Sequence, residues 1–262
     1  MGLKEKIGAG LIAAATFLAV GGLFSHAPIP QNPSYHLFAD ERNFLAIPNF
    51  GNVVSNSLFL IVGGLGCFRI LRRRDMHIEN EIQSAYLLFF LAVGLIGIGS
   101  AYYHLSPSND TLVWDRLPMS VAFMALFTVV IGEFVSVRLG KILMLPLVLA
   151  GIASVLYWHS TELSGQGDLR FYALVQFLPM VIIPIMLGCF RSRFSGAAAY
   201  GWLLMAYGLA KLCEHFDGEI YQALVFVSGH TLKHVAAAIG LCILLAAYQH
   251  RDFAGRDRPR RA

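Results

Sequence analysis

Long apolar segments separated by short polar ones constrain this 262-residue chain more than any other feature of its sequence. A helix needs about 20 apolar residues to cross the hydrocarbon core of a bilayer. Runs near that length occur at roughly 7–24, 53–71, 85–103, 113–134, 142–158, 171–189, 197–212 and 221–248. With 56% hydrophobic and 14% charged residues, the composition excludes an ordinary soluble domain. The sequence therefore predicts an all-α integral membrane protein with about eight spanning helices.

The chain divides into four predicted segments. Residues 1–27 form an N-terminal membrane helix, although its end at 25–27 also resembles a signal-peptide cleavage site. We favour an uncleaved helix, because the apolar run is long for a signal and Pro28 would follow the cut. Residues 28–51 contain four prolines and form an outer irregular segment. Residues 52–249 form the membrane core, and 250–262 form a basic tail.

Basic residues predict the orientation, because Lys and Arg in short loops favour the cytoplasmic side. One side receives Lys4, Lys6, Arg72, Arg73, Arg74, Arg138, Lys141, Arg191, Arg193, Arg251, Arg256, Arg258, Arg260 and Arg261. The other side receives Asp40, Glu41, Asp110, Asp115, Glu162, Asp168, Asp217 and Glu219. Both termini are therefore predicted to be cytoplasmic. The short basic tail directly follows a span, which favours contact with anionic lipid and argues against a nucleic-acid partner.

Two histidines in the last apolar run, His230 and His234, are four residues apart and share one helix face. That spacing suits two ligands of one metal ion. His104, at the outer end of the third span, is the best candidate for a third ligand, and Ser100 lies one turn before it. Under the predicted topology these residues lie at a similar depth, nearer the outer side of the membrane. Each single histidine could instead be a hydrogen-bonded packing residue.

Asp115 begins the next span, eleven residues after His104, and returns to the same leaflet. Zinc hydrolases use three protein ligands and leave a fourth position for water. Asp115 could orient and deprotonate that water, and Ser100 could donate a hydrogen bond to the oxyanion. The set predicts hydrolysis of an amide or ester whose acyl chain lies in the bilayer. Alternatively, Asp115 could pair with Arg116 or Lys233 or cap its helix.

Several motifs together resemble the alkaline ceramidase family, within the wider group of seven-helix membrane hydrolases that includes the adiponectin-receptor-like proteins. The resemblance covers about residues 40–238. The motifs that carry it are Ser100-x-x-x-His104, Asp115 at the start of the following span, His230-x-x-x-His234, and Asn52-x-x-Ser55-Asn56 at the start of the second span.

The resemblance implies a seven-transmembrane-helix bundle with one additional N-terminal hydrophobic helix. It implies zinc held by His104, His230 and His234, with Ser100 and Asp115 as catalytic residues acting on a membrane lipid, a ceramide-like N-acyl amide. Eukaryotic members also bind calcium just before the first core helix. Here Asp40, Asn43 and Asn49 offer oxygen ligands for calcium, although an Asp40–Arg42 contact in a solvated loop explains the same residues.

Glu214 and Asp217 follow Lys211 at the end of the seventh span and could meet a polar lipid headgroup, while a Lys211–Glu214 pair on one helix face is the structural alternative. A lipid receptor or sensor with a structural zinc site is the main competing function. A haem protein would need His104 together with only one of the paired histidines. An intramembrane metalloprotease lacks a His-Glu-x-x-His sequence.

Overall fold

The computed structural model describes residues 2–72 and 76–254. Its helices are α1 (Leu3–Phe24), α2 (Phe50–Ser55), α3 (Ser57–Arg72), α4 (Gln83–Leu105), α5 (Asn109–Phe134), α6 (Val137–Leu163), α7 (Arg170–Cys189), α8 (Ala198–His215), α9 (Asp217–Leu224) and α10 (Gly229–His250). Short 3-10 helices lie at Pro33–His36 and Asn80–Ile82. Within these ranges the chain forms no β-strand, only two isolated bridges. The predicted charges at Arg73, Arg74, Arg256, Arg258, Arg260 and Arg261 lie outside the described residues.

Seven stretches of the described chain are long and apolar enough to cross a membrane, and they include the N-terminal one. They are Leu3–Ser25, Phe50–Arg72, Asn80–Leu105, Asn109–Phe134, Val137–Leu163, Arg170–Cys189 and Gly229–His250. These helices fit the integral membrane protein that the sequence predicts. The run at 197–212 also forms a helix, α8, which packs beside α10. It is not among the seven, and charged residues such as Lys211 and Glu214 in its last turns reduce its apolar character.

The predicted single span at 221–248 is wrong, because the chain breaks between α9 and α10. Val225 has a φ of +64°, a left-handed conformation that ends α9. Ser228 then starts α10 by accepting a hydrogen bond from the Thr231 amide at 3.1 Å. The break places the N-terminus of α10, with its two histidines, at the end of the bundle.

Glycines bring α4 close to both of its neighbours. A Cβ on Gly63 of α3 would overlap the backbone of Gly94 in α4, and one on Gly99 would overlap the carbonyl oxygen of Trp114 in α5. Small residues at such crossings let membrane helices pack backbone to backbone. The Gly99 contact sets the separation between the end of α4 and the start of α5, where Ser100 and Asp115 lie.

A buried ion pair joins the helices at the opposite end of the bundle. The Arg251 guanidinium donates to both carboxylate oxygens of Glu133, at 2.7 and 3.0 Å, and its Nε donates to the His77 carbonyl at 2.6 Å. The sequence predicted Arg251 in a lipid-facing basic tail, but it is only 4% exposed. It holds the chain after α10 against the end of α5.

Candidate metal centre

The three histidines of the predicted metal site lie together at one end of the bundle. His104 is the second-last residue of α4, and His230 and His234 occupy the first two turns of α10. One potential ligand atom from each lies within 4.8 Å of the others, and all three side chains are buried. The ring centroids are 4.8–5.3 Å apart. Packing of α10 near α4 therefore brings together residues 126–130 positions apart in the chain.

The chemistry of this cluster fits a metal ion. His104 Nδ1 and His230 Nε2 are buried and have no hydrogen-bond partner among the described residues. Buried polar atoms in native proteins nearly always have a partner. Three imidazoles in one small buried space are a typical ligand set for zinc and for other metals that bind imidazole. A metal ion would satisfy the two unpartnered nitrogens.

A hydrogen-bond relay orients the third imidazole. Ser55 Oγ lies 2.7 Å from His234 Nδ1, and the Ser55 hydroxyl donates to the Asn52 carbonyl at 3.1 Å. Because the single hydroxyl proton is used on Asn52, we assign the Nδ1 proton to His234, which then donates to Ser55. Nε2 of His234 is left with its lone pair free for a cation. Metal-binding histidines are commonly oriented in this way.

Contacts from other elements hold the remaining two histidines. Asn49 Nδ2 donates to the His104 carbonyl at 2.9 Å, and Asp217 Oδ1 accepts from the His230 amide at 2.7 Å. The Phe38 ring packs edge-on against both imidazoles, with centroids 4.7 Å from His104 and 4.6 Å from His230. The cluster is therefore enclosed by the segment that precedes α2.

Ser100 and Asp115 lie together beside the histidines. Ser100 is one turn before His104 in α4, and the adjacent Gly99 lies against the backbone of Trp114 and Asp115 in α5. The side chains of Ser100 and Asp115 are at least 92% buried, with exposures of 3% and 8%. Both also line a cavity inside the bundle. Of the three histidines, His234 belongs to the cavity lining, so it connects the buried histidine cluster to the end of the cavity that holds Ser100 and Asp115.

Of the structural alternatives for Asp115, a close salt bridge and a helix cap are both absent among the described residues, although the charges of Lys233 and Arg116 act on its carboxyl. The salt bridges among the described residues do not include Asp115, so neither Arg116 nor Lys233 forms one with it. Ser108 caps α5 by accepting from the Thr111 amide. Asp115 instead lines the cavity, as Ser100 does.

The cavity next to the histidines is mostly apolar. It has a volume of about 290 Å³ and lies between α4, α5, α7, α8 and α10. At its polar end, the lining includes Ser100, Asp115 and His234; farther from the histidines, it includes Phe89, Leu126 and Leu241. Such a cavity, apolar with a few convergent polar groups, is typical of a small-molecule site.

The two predicted headgroup residues differ in where they lie. Glu214 lines the cavity and receives the ammonium groups of Lys211 and Lys233, each at 2.6 Å. The Lys211–Glu214 pair expected on one helix face is therefore present. Asp217 is not part of the cavity lining; its second oxygen accepts from the Ala39 amide at 2.9 Å. Its contacts with the backbone before α2 and at the start of α10 are structural.

The residues predicted to bind calcium lie before and at the start of α2. Arg42 donates to both carboxylate oxygens of Asp40 at 2.7 Å and also to the Phe226 carbonyl at 2.6 Å. These hydrogen bonds from Arg42 hold the pKa of Asp40 below its ordinary value. Asn43 is exposed and Asn49 is buried against His104. The guanidinium of Arg42 thus occupies the position beside Asp40 where a cation would bind.

Sequence reasoning missed how the segment 28–51 closes the polar end of the bundle. His36 contacts the Tyr103 hydroxyl and the Asn109 side chain, each at 2.9 Å. Phe38 covers the histidines, and Gln31 accepts a hydrogen bond from buried Arg116 at 2.6 Å. Aromatic side chains within a proline-rich outer segment were the one available signal that this segment packs on the site.

Comparison with known proteins adds one finding. The family model described as Ceramidase matches residues 41–261. That range includes all three histidines, Ser100 and Asp115. The chain has no significant match among curated proteins or among solved structures.

Proposed function

Because this chain belongs to the ceramidase family, we propose that it is an integral membrane, zinc-dependent amidohydrolase. Its substrate is a ceramide-like N-acyl lipid, and its products are a fatty acid and an amine-bearing base. The family supports hydrolysis of a ceramide-type amide, and the helices support a location in the membrane. The identity of the metal as zinc and the roles of the individual catalytic residues are also proposed here.

One observation carries the proposal: a buried cluster of three histidines reaches, through His234, the polar end of an apolar cavity that Ser100 and Asp115 also line. A lipid acyl chain fits the apolar part, and its amide reaches the polar end. Zinc suits a buried set of three imidazoles and leaves a position for water or substrate. When bound there, it would lower the pKa of water and polarise the amide carbonyl.

Asp115 is the proposed general base and acid. Its carboxylate accepts a proton as water attacks the amide carbonyl carbon, and it then delivers that proton to the leaving nitrogen. The C–N bond breaks, a C–O bond forms, and one water is consumed for each fatty acid and amine released. Burial beside the cavity keeps the carboxylate away from bulk solvent, and the Gly99 contact holds it near Ser100.

Ser100 is the proposed hydrogen-bond donor at the same site. Ser100 lines the same end of the cavity as Asp115, and its hydroxyl donates to the developing oxyanion in this proposal. Glu214 is the proposed contact to the polar part of the lipid, because it lines the cavity. Asp217 acts in this proposal by positioning His230. We leave calcium out, because Arg42 already neutralises Asp40.

The proposed organisation follows the charge pattern. Residues 52–249 form the hydrolase core, preceded by a membrane helix at 1–27 and an outer segment at 28–51. Both termini are cytoplasmic, and the metal centre lies nearer the outer side. Asp110, Glu162 and Asp168 lie at the same end of the bundle as the histidines, in or beside α5, α6 and α7. This distribution of acidic residues supports the orientation.

Elemental analysis and turnover of the detergent-purified protein test this function together. Wild type should contain about one zinc per chain and release fatty acid from ceramide. His230→Ala should lose both. Asp115→Asn should keep zinc and slow turnover by roughly 10²–10⁴-fold, the usual contribution of a general base.

His159→Ala is the matched control, because His159 pairs with Asp110 at the same end of the bundle but outside the cluster. It should retain zinc and activity. Full activity in His230→Ala would remove zinc from the mechanism. Stoichiometric zinc without hydrolysis of any N-acyl lipid would favour a receptor with a structural zinc site.

A further inference from the structure

Arg116 is a buried cation at the polar end of the cavity. Its residue exposure is 6%, it lines the cavity, and no salt bridge among the described residues includes it. Nη2 donates to the Gln31 amide oxygen at 2.6 Å. Nη1 is buried and has no hydrogen-bond partner in the described part of the chain. A buried guanidinium with an unused donor is costly unless another group accepts from it.

Aromatic rings frame this guanidinium without satisfying its donors. Its central carbon lies 4.2 Å from the ring centroid of Trp158, 4.9 Å from that of Tyr172 and 5.6 Å from that of Tyr35. Rings over a cation stabilise it through its face. The N–H groups lie in the plane of the guanidinium and still need acceptors. The rings therefore orient Arg116 beside the cavity, and its buried Nη1 has no acceptor among the described residues.

The charges that line the cavity are unbalanced even without a metal ion. The lining contains three cations, Arg116, Lys211 and Lys233, and two carboxylates, Asp115 and Glu214. Both lysines contact the same carboxylate, that of Glu214. If both carboxylates are ionised, one positive charge is in excess in a region of low dielectric, where an unpaired charge is expensive.

The position of these charges defines which part of a lipid they would meet. Leu126, an apolar lining residue, lies eleven residues beyond Asp115 in α5, or about 16 Å along the helix axis. An acyl chain that starts at Asp115 would run along this apolar part. The amine portion of the substrate would then remain among Arg116, Lys211 and Lys233.

We propose that Arg116, with Lys211 and Lys233, forms a subsite for an acidic group on the amine portion of the substrate. The preferred substrate is then an N-acyl lipid with a carboxylate or phosphate close to its amide, rather than a neutral ceramide. This inference rests on the proposed function, because it names the substrate class of the same site. Arg116 has no salt-bridge partner among the described residues, and the ammonium groups of Lys211 and Lys233, each bound to Glu214 at 2.6 Å, keep further N–H donors for carboxylate or phosphate oxygens. Glu214 then acts on the polar part of the lipid through these two ammonium groups.

The first test compares matched lipids on the zinc-loaded wild type. In the first pair, N-oleoylglycine has a carboxylate where N-oleoylethanolamine has a hydroxymethyl group. In the second pair, ceramide 1-phosphate has a phosphate where ceramide has a hydroxyl group. We expect kcat/KM to be about tenfold or more higher for at least one acidic lipid than for its neutral partner, as a charged hydrogen bond predicts. The two pairs distinguish a carboxylate from a phosphate. Equal or faster hydrolysis of both neutral lipids would overturn the subsite.

Binding of an uncleavable pair separates this inference from catalysis. The first ligand is a 4-oxo fatty acid, in which a methylene group replaces the amide nitrogen of an N-acylglycine, so there is no amide bond to cleave. The second ligand is the 4-oxo alcohol of the same length, which is neutral. Tighter binding of the acid, by about tenfold, supports the subsite even if no lipid is hydrolysed, a result that would overturn only the proposed function. Equal binding of both, with hydrolysis of neutral lipids intact, would overturn only the subsite.

Variants then assign the preference to residues. The ratio to compare is the affinity for the 4-oxo acid divided by the affinity for the 4-oxo alcohol. Arg116→Gln should reduce this ratio at least fivefold. Lys211→Gln is the second variant, because Lys211 is 38% exposed at the rim and its replacement should not disturb folding. Arg193→Gln removes the same charge from the opposite end, where Arg193 pairs with Glu79, and should leave the ratio unchanged. An unchanged ratio in both cavity variants would contradict the assignment.

Discussion

The relay from His234 through Ser55 makes a prediction about metal affinity. Ser55→Ala removes the acceptor of the His234 Nδ1 proton, which lies 2.7 Å from Ser55 Oγ. A neutral hydrogen bond contributes about 0.5–1.5 kcal/mol, and one to a charged group about 1.5–3 kcal/mol. A bound cation withdraws electron density from the imidazole of His234, which makes Nδ1–H a better donor. The hydrogen bond from Nδ1 to Ser55 is therefore stronger in the metal-bound state. The difference, about 1–1.5 kcal/mol, corresponds to a zinc dissociation constant roughly tenfold higher.

Competition between the detergent-purified protein and a chromophoric zinc chelator measures this change directly. Ser57→Ala is the matched control, because Ser57 is exposed and two residues away. The helix itself should tolerate Ser55→Ala, since only a 3.1 Å bond to the Asn52 carbonyl is lost with the hydroxyl. A zinc dissociation constant of Ser55→Ala within twofold of the wild-type value would refute the relay.

Two further predictions concern helix contact and pH. A Cβ at Gly99 would overlap the Trp114 carbonyl, so Gly99→Ala should lower the free energy of unfolding by about 1–3 kcal/mol and slow turnover. Thermal unfolding measures the loss of stability. The control is Gly64→Ala, which should show no such loss because a Cβ there meets open space. Hydrogen bonds from Arg170 lower the pKa of Asp168 from 3.8 to about 2, so this pair stabilises the fold above about pH 4 and ceases to do so as the pH falls through 2. The melting temperatures of wild type and Asp168→Asn should therefore converge between pH 5 and 2, and a constant difference would contradict this explanation.

Helix type and membrane location were predictable from the chain because both depend on local sequence. Apolar runs of spanning length occur in consecutive residues, and a helix repeats every 3.6 residues. The four-residue spacing of His230 and His234 therefore placed both on one face before any packing was known. Ser100 and His104 follow the same rule in α4. These pairs needed no information from distant parts of the chain.

The break between α9 and α10 shows where local pattern was insufficient. Residues 223–227 are all apolar, so hydropathy alone predicted one long span. The structure ends the helix at Val225 and starts another after Ser228. A Cβ on Gly229 would overlap the Cys213 carbonyl of α8. Contact with a neighbouring helix therefore accompanies the start of α10, and hydropathy does not record such a contact.

The amino-acid sequence by itself determined the membrane helices and the histidine and serine pairs within single helices, because period and length are local properties. Only the tertiary structure decided that His104 meets His230, that Phe38 covers both, and that Arg116 is buried with a donor left free. These contacts join residues far apart in the chain. They exist only when helices and the segment before α2 pack, and the burial that results is what makes an unpartnered nitrogen or charge informative about function.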